Sequence, residues 1–195
     1  GTPGLSFGKK EKKMGWNSQH TAMVHFDECR VPIENLVGQE GDGFKIAMAG
    51  LDGGRINIAS CSVGGARSAL EFSVAYSQDR IQFGKAISQF QSIQFKIADM
   101  ATDVDAARLM VHRAAQSLDL KKPEATMHCA MAKRWATDIG SKVCNEALQI
   151  HGGYGYLKDF PLEKLVRDLR VHQILEGTNE IMQLIISKRL LGNKI

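Results

Sequence analysis

Apolar residues fall at Ile93, Ile97, Met100, Val104, Ala107, Val111, Ala114 and Leu118, in steps that alternate four and three throughout. An α-helix puts such a series on one face, and a stripe this long commits the helix to packing against other helices. A second series follows at Ala125, Cys129, Ala132, Ala136, Ile139, Val143, Ala147 and Ile150. Pro123 stands near its start, where a proline is tolerated, and Gly152-Gly153 ends it. An earlier helix is expected from about Phe44 to Tyr76, weakened by Gly50, Gly53, Gly54, Gly64 and Gly65, which permit close approach of a neighbouring helix or a ligand. A shorter, mixed stretch covers about Phe160 to Leu169, and a last helix starts near Thr178 with Ile181, Leu184, Ile185 and Leu191 as its apolar positions. Three long helices and a shorter one predict a mainly α fold built on an antiparallel four-helix bundle.

The first 40 residues read differently, as strand and loop. Thr21 to Phe26 is strand-compatible, and Pro32 argues against a long strand after Cys29. Two short strands are not stable alone in water, so this piece must lean on other structure, expected upstream of Gly1. The division predicted is 1–40 as the end of a β domain and 41–195 as a helical domain.

Composition excludes several classes of function. No run approaches the roughly 20 apolar residues that span a bilayer. The net charge is only +4, too mild to suggest nucleic acid. Lys9, Lys10, Lys12 and Lys13 cluster around Glu11 and read as a solvated loop or as an anionic-ligand patch. Cys29, Cys61, Cys129 and Cys144 form no Cys-x-x-Cys pair and have no histidine at ligand spacing, so no metal site is expected. Gly1-Thr2-Pro3-Gly4 reads as a loop interior, with no signal or transit peptide visible.

Chemistry-bearing residues gather in the connections between helices. Arg80-Ile81-Gln82-Phe83-Gly84 sets a guanidinium, an amide and an aromatic ring together. Such a set can bind a flat phosphorylated ligand, or it can be a helix end with Gly84 as terminator and Arg80 in a surface ion pair. Gln149-Ile150-His151-Gly152-Gly153-Tyr154-Gly155 follows a helix, not a strand, and reads equally as a ligand loop or a tight helix–helix turn. In Leu175-Glu176-Gly177-Thr178-Asn179-Glu180, Thr178 or Asn179 can cap the last helix. Glu176 lies just before it, as a general base or an ordinary surface charge. Asp52 and Arg55, three apart, can share a helix face as an ion pair.

Together and in this order, Arg-x-Gln-Phe-Gly, Gln-Ile-His-Gly-Gly-x-Gly and Glu-Gly-Thr-Asn-Glu closely resemble the acyl-CoA dehydrogenase family, over essentially the whole chain. Gly4–Lys13, Gly53–Ser62 and His151–Asp159 look most like the branch that acts on isobutyryl-CoA in valine breakdown. The resemblance implies FAD as cofactor, a short branched acyl-CoA as substrate and electron-transfer flavoprotein as electron acceptor. It also implies a homotetramer built as a dimer of dimers, in the mitochondrial matrix. Glu176 is then the base for the acyl α-proton. The rival position used in other branches, just before the arginine matching Arg55, is here Gly54. Arg80, Gln82, Phe83, Phe90 and Gln91 match one set of FAD contacts, and Gln149, Ile150, His151, Gly152 and Gly153 a second; in the family both reach the flavin of a neighbouring subunit. Thr178, Asn179 and Glu180 match flavin contacts beside the base. Asp52, Gly53, Gly54, Arg55, Gly177 and Lys188 match the substrate region. A non-enzymatic assembly scaffold and an acyl-CoA oxidase are the alternatives.

Overall fold

The computed structural model describes residues 1–192; residues 193–195, which the expected helical domain included, lie outside the described residues. Helices dominate: α1 (Gly43–Asp79), α2 (Gln91–Asp119), α3 (Ala125–His151), α4 (Leu162–Arg170) and α5 (Asn179–Leu190). The predicted stripes form the core. Met100, Val104, Ala107, Val111 and Ala114 of α2 are buried, and so is the whole predicted series of α3 from Ala125 to Ile150. Much of this core is alanine, including Ala59, Ala66 and Ala69 of α1, and side chains that small let helix axes approach closely.

Contacts at the helix ends give the topology. Thr126 Oγ1 donates to Asp52 Oδ2 at 2.7 Å near the starts of α3 and α1, while Tyr76 stacks on His151 near their ends. These two helices are therefore parallel, and α2 returns between them. The next stretch starts at Phe160, edge-on to Tyr76 and His151, and its Leu169 reaches Gly65 and Gly140. It thus runs back along the bundle, completing an up-down-up-down arrangement with α4 as the short member. Beyond it, α5 packs on α3. A Cβ on Gly65 would lie 2.7 Å from Leu169 Cδ1, and one on Gly140 3.2 Å from Leu169 Cδ2. Close approach is thus the role of Gly65, whereas a Cβ at Gly50, Gly53 or Gly64 would meet nothing within 4 Å.

The N-terminal segment contributes β1 (Leu5–Phe7) paired antiparallel with β2 (Val24–Phe26), in register Leu5 to Phe26. Phe7 and Phe26 are 69% and 72% exposed, so the two-stranded sheet leaves an apolar surface uncovered. A 3-10 turn, Ile33–Asn35, follows Pro32. Hydrogen bonds around Trp16 fasten the segment to the bundle. Trp16 N donates to Asp168 Oδ1 at 2.6 Å, Arg167 Nη1 to the Met14 carbonyl at 2.9 Å, and Trp16 Nε1 to His172 Nε2 at 3.1 Å.

One element differs from the sequence reading. Between α1 and α2 stands a small hairpin, β3 (Ile81–Gln82) and β4 (Lys85–Ala86). Gly84 is its turn residue and not a helix terminator. Phe83 and Gly84 have φ of 51° and 81°, the backbone that a tight two-residue hairpin requires.

Candidate active site

Two groups of the predicted residues form, at opposite ends of α1. The first lines a cavity of about 720 Å³. The hairpin carries Arg80, Gln82 and Phe83 to one wall, Phe90 enters from the start of α2, and Ile150, His151, Gly152 and Gly153 close the other side. Aromatic rings organise it. Phe83, 93% exposed, meets Phe90 edge-on at 6.2 Å, and the Arg80 guanidinium lies 5.2 Å from the Tyr154 ring centroid. His151 Nδ1 bonds the Ala147 carbonyl at 2.8 Å, and its ring stacks on Tyr76 with centroids 4.2 Å apart. Burial pushes the His151 imidazole below its usual range, so it stays neutral at physiological pH. A Cβ on Gly152 or Gly153 would meet nothing within 4 Å, so both backbones border open space. Gln91 and Gln149 are exposed and lie outside this lining. Tyr76 and Leu157 belong to it although neither was a candidate contact, and so does Tyr154, which stands in the Gln149–Gly155 loop but was not assigned a contact.

The second group surrounds Glu176. A Cβ on Gly54 would lie 2.7 Å from the Glu176 carboxyl carbon, so the carboxylate occupies the space that a side chain at position 54 would take. Glu176 and Gly177 have φ of 58° and 90°, two left-handed residues in succession. For a glutamate that backbone costs about 1–2 kcal/mol, so the surroundings must hold it. Arg55 is 6% exposed; it pairs with Asp52 at 2.8 Å, and its Nε has no hydrogen-bond partner among the described residues. Gly53 lies beside this pair. Thr178 is the N-cap of α5 by position but makes no side-chain cap bond. Asn179 points back into the core, donating to Asp138 Oδ1 at 2.7 Å. The exposed Glu180 carboxyl is held below the usual carboxylate range by its own backbone N–H and the Thr178 hydroxyl. Lys188 is not part of the group. It lies in the last turn of α5, roughly 15 Å along the helix from Thr178.

Two buried residues here escaped the motif reading. Lys133, 0% exposed, donates to the Gly177 carbonyl at 2.7 Å and to Asn179 Oδ1 at 2.8 Å. The available signal was its spacing, four after Cys129 and three before Ala136, which sets a lysine on the buried stripe. His172, 2% exposed, lies four residues before Glu176. The indole N–H of Trp16 can only donate, so His172 Nε2 accepts, Nδ1 carries the hydrogen and donates to Ser62 Oγ at 2.7 Å, and Ser62 donates to the Ile58 carbonyl. Burial pushes this imidazole down to about 4, with Asp168 opposing and Lys133 reinforcing the shift.

The family model described as acyl-CoA dehydrogenase, C-terminal domain, matches residues 41–191. Mitochondrial isobutyryl-CoA dehydrogenase of Bos taurus is 55% identical over 191 residues, covering 98% of this chain and 46% of that protein. The Dictyostelium discoideum protein of the same name is 55% identical over 189 residues, covering 97% and 45%. Among solved structures, butyryl-CoA dehydrogenase from Megasphaera elsdenii superposes with a TM-score of 0.95 at 48% identity, over 98% of this chain and 50% of that one. The chain spans about half the length of the curated relatives it matches.

Proposed function

The chain belongs to the acyl-CoA dehydrogenase family, and from that premise we propose that the full-length protein dehydrogenates a short branched acyl-CoA, isobutyryl-CoA, at its α,β bond. The observation that carries the proposal is the seating of the Glu176 carboxylate over Gly54. In the family the base stands at one of these two positions, and here Gly54 leaves the space to Glu176.

Glu176 takes the α-proton of the acyl group. As negative charge grows on the thioester oxygen, the backbone N–H of Glu176 donates a hydrogen bond to it, so one residue both removes the proton and stabilises the result. Asp52, Gly53, Gly54, Arg55 and Gly177 form the substrate side of the group. The buried Arg55 Nε, without a partner among the described residues, supports that reading, because such a polar atom is one a ligand can satisfy. Lys188 as a CoA contact would require the ligand to extend along α5.

FAD suits the residues present. The cavity beside the hairpin offers a guanidinium, aromatic faces and two open glycine backbones, the needs of a flat phosphorylated molecule. We assign Arg80, Gln82, Phe83, Phe90 and Ile150 to Gly153 to one portion of FAD, and Thr178, Asn179 and Glu180 to another beside the base. Gln91 and Gln149 join the first set only if a partner brings the ligand to them. The chemistry FAD supplies when bound is uptake of the β-hydrogen as hydride. Residues 1–40 are then the end of a preceding β domain, and a homotetramer, electron-transfer flavoprotein and the mitochondrial matrix complete the proposal.

Glu176→Gln in the full-length protein should keep FAD and lose anaerobic bleaching of the flavin by isobutyryl-CoA. Bleaching at the normal rate would remove Glu176 from the role. A panel of acyl-CoA thioesters tests specificity: preference for a straight chain overturns the isobutyryl assignment, and no bleaching by any supports a scaffold. Faster reoxidation by air than by electron-transfer flavoprotein would identify an oxidase.

A further inference from the structure

Lys133 is the largest fully buried side chain among the described residues. A methionine would fill similar volume in this alanine- and cysteine-lined stripe without the cost of desolvating a cation. Its hydrogen bonds go to neutral acceptors, the Gly177 carbonyl and the Asn179 side chain, and not to a carboxylate. Burial pushes the ammonium down to about 8; Asp138, Glu180 and Glu176 favour its charged form, and Arg55 opposes it.

The two acceptors bracket Thr178, just after Glu176. No other hydrogen bond to the Gly177 carbonyl is made among the described residues, and Thr178 adds no side-chain cap. The left-handed pair Glu176-Gly177 is therefore tied down by α3 from within the core.

We propose that Lys133 is the positioning residue of the Glu176 loop: its ammonium fixes the Gly177 carbonyl and Asn179, and thereby holds Glu176 in the left-handed backbone that seats its carboxylate over Gly54. This rests on the reading of Glu176 as the base, and Lys133 acts through Glu176 without touching substrate.

The test compares Lys133→Met and Lys133→Gln with the unsubstituted full-length protein, and runs Glu176→Gln in parallel. Gln keeps N–H donors on a neutral side chain one bond shorter. In the Met variant, flavin reduction by isobutyryl-CoA should slow by about 10- to 100-fold, the loss expected when a reacting group is misplaced. Thioester affinity should change far less. Amide hydrogen exchange of residues 176–180, a readout independent of turnover, should quicken. Gln should restore part of both. The result is read on whichever variant holds flavin. Unchanged rate and exchange overturn the proposal; failure of both variants to hold flavin makes Lys133 a folding residue and also overturns it. If Glu176→Gln reduces normally, the base reading fails. If Glu176→Gln is inactive while the Lys133 variants are normal, only the present inference fails.

Discussion

His172 shows how a single buried side chain can set the acid limit of the protein. Its neutral form is fully committed, accepting from Trp16 and donating to Ser62, and burial holds it at about 4 against 6.5 when unfolded. Between pH 6.5 and 4 the unfolded chain therefore binds a proton that the folded protein refuses. Stability rises with pH across that window and falls as pH drops through it, by up to about 3 kcal/mol at its lower end. His151, also held low by burial, acts in the same direction. His172→Gln keeps polar partners for Trp16 and Ser62 but cannot titrate. Urea midpoints followed from pH 7 to 4 should fall less steeply for this variant than for the unsubstituted protein. Parallel slopes would mean that His172 does not carry the linkage. None of this was legible in the sequence, where Trp16 and His172 belong to segments with no spacing relation.

Among the elements, α4 is the shortest α-helix, and Leu162 and Leu169 anchor it in the core. Leu169 is 4% exposed and seats against Gly65 of α1 and Gly140 of α3. The same stretch continues through His172 to Glu176, so the seating of α4 sets where the candidate base begins. Leu169→Ala leaves a void between two glycines that have no side chains to fill it, and should cost about 2–5 kcal/mol. Chemical denaturation measures that loss, and a cost well under 1 kcal/mol would mean that α1 and α3 collapse into the space. The long helices were readable because α2 and α3 each repeat one apolar face over several turns. The hairpin β3–β4 was not, because each strand is two residues long and its turn places Phe83, a residue without turn preference, at positive φ.

At the level of the whole molecule, the two candidate groups lie too far apart to serve one small reacting centre. Gly54, beside Glu176, and Tyr76, beside the hairpin cavity, are roughly 33 Å apart along α1 at about 1.5 Å per residue. A site needing both must draw them from two copies of the chain, which fits the proposed oligomer. Co-assembly gives a direct check. Glu176→Gln and Arg80→Ala should each be impaired alone. In a mixed dimer, one of the two sites receives Glu176 from one subunit and Arg80 from the other, both unsubstituted. Random mixing of a two-fold assembly should then restore about a quarter of the sites. No recovery in demonstrably mixed oligomers would place each site within a single chain.

By itself the sequence determined the helices, the faces they bury and the stretches that carry the family's motifs, Glu176 among them. These are properties of residues three or four apart, or of contiguous runs, and the geometry of a helix reads them out directly. Tertiary structure alone decided that the Glu176 carboxylate fills the space over Gly54, that Lys133 holds the loop from inside α3, that Trp16 fastens the N-terminal segment through His172, and that the motif residues divide between the two ends of α1. Each of these depends on how packed helices are rotated and offset relative to one another. That is settled by the fit of side chains distant in sequence, such as Leu169 between Gly65 and Gly140, and no local spacing encodes it.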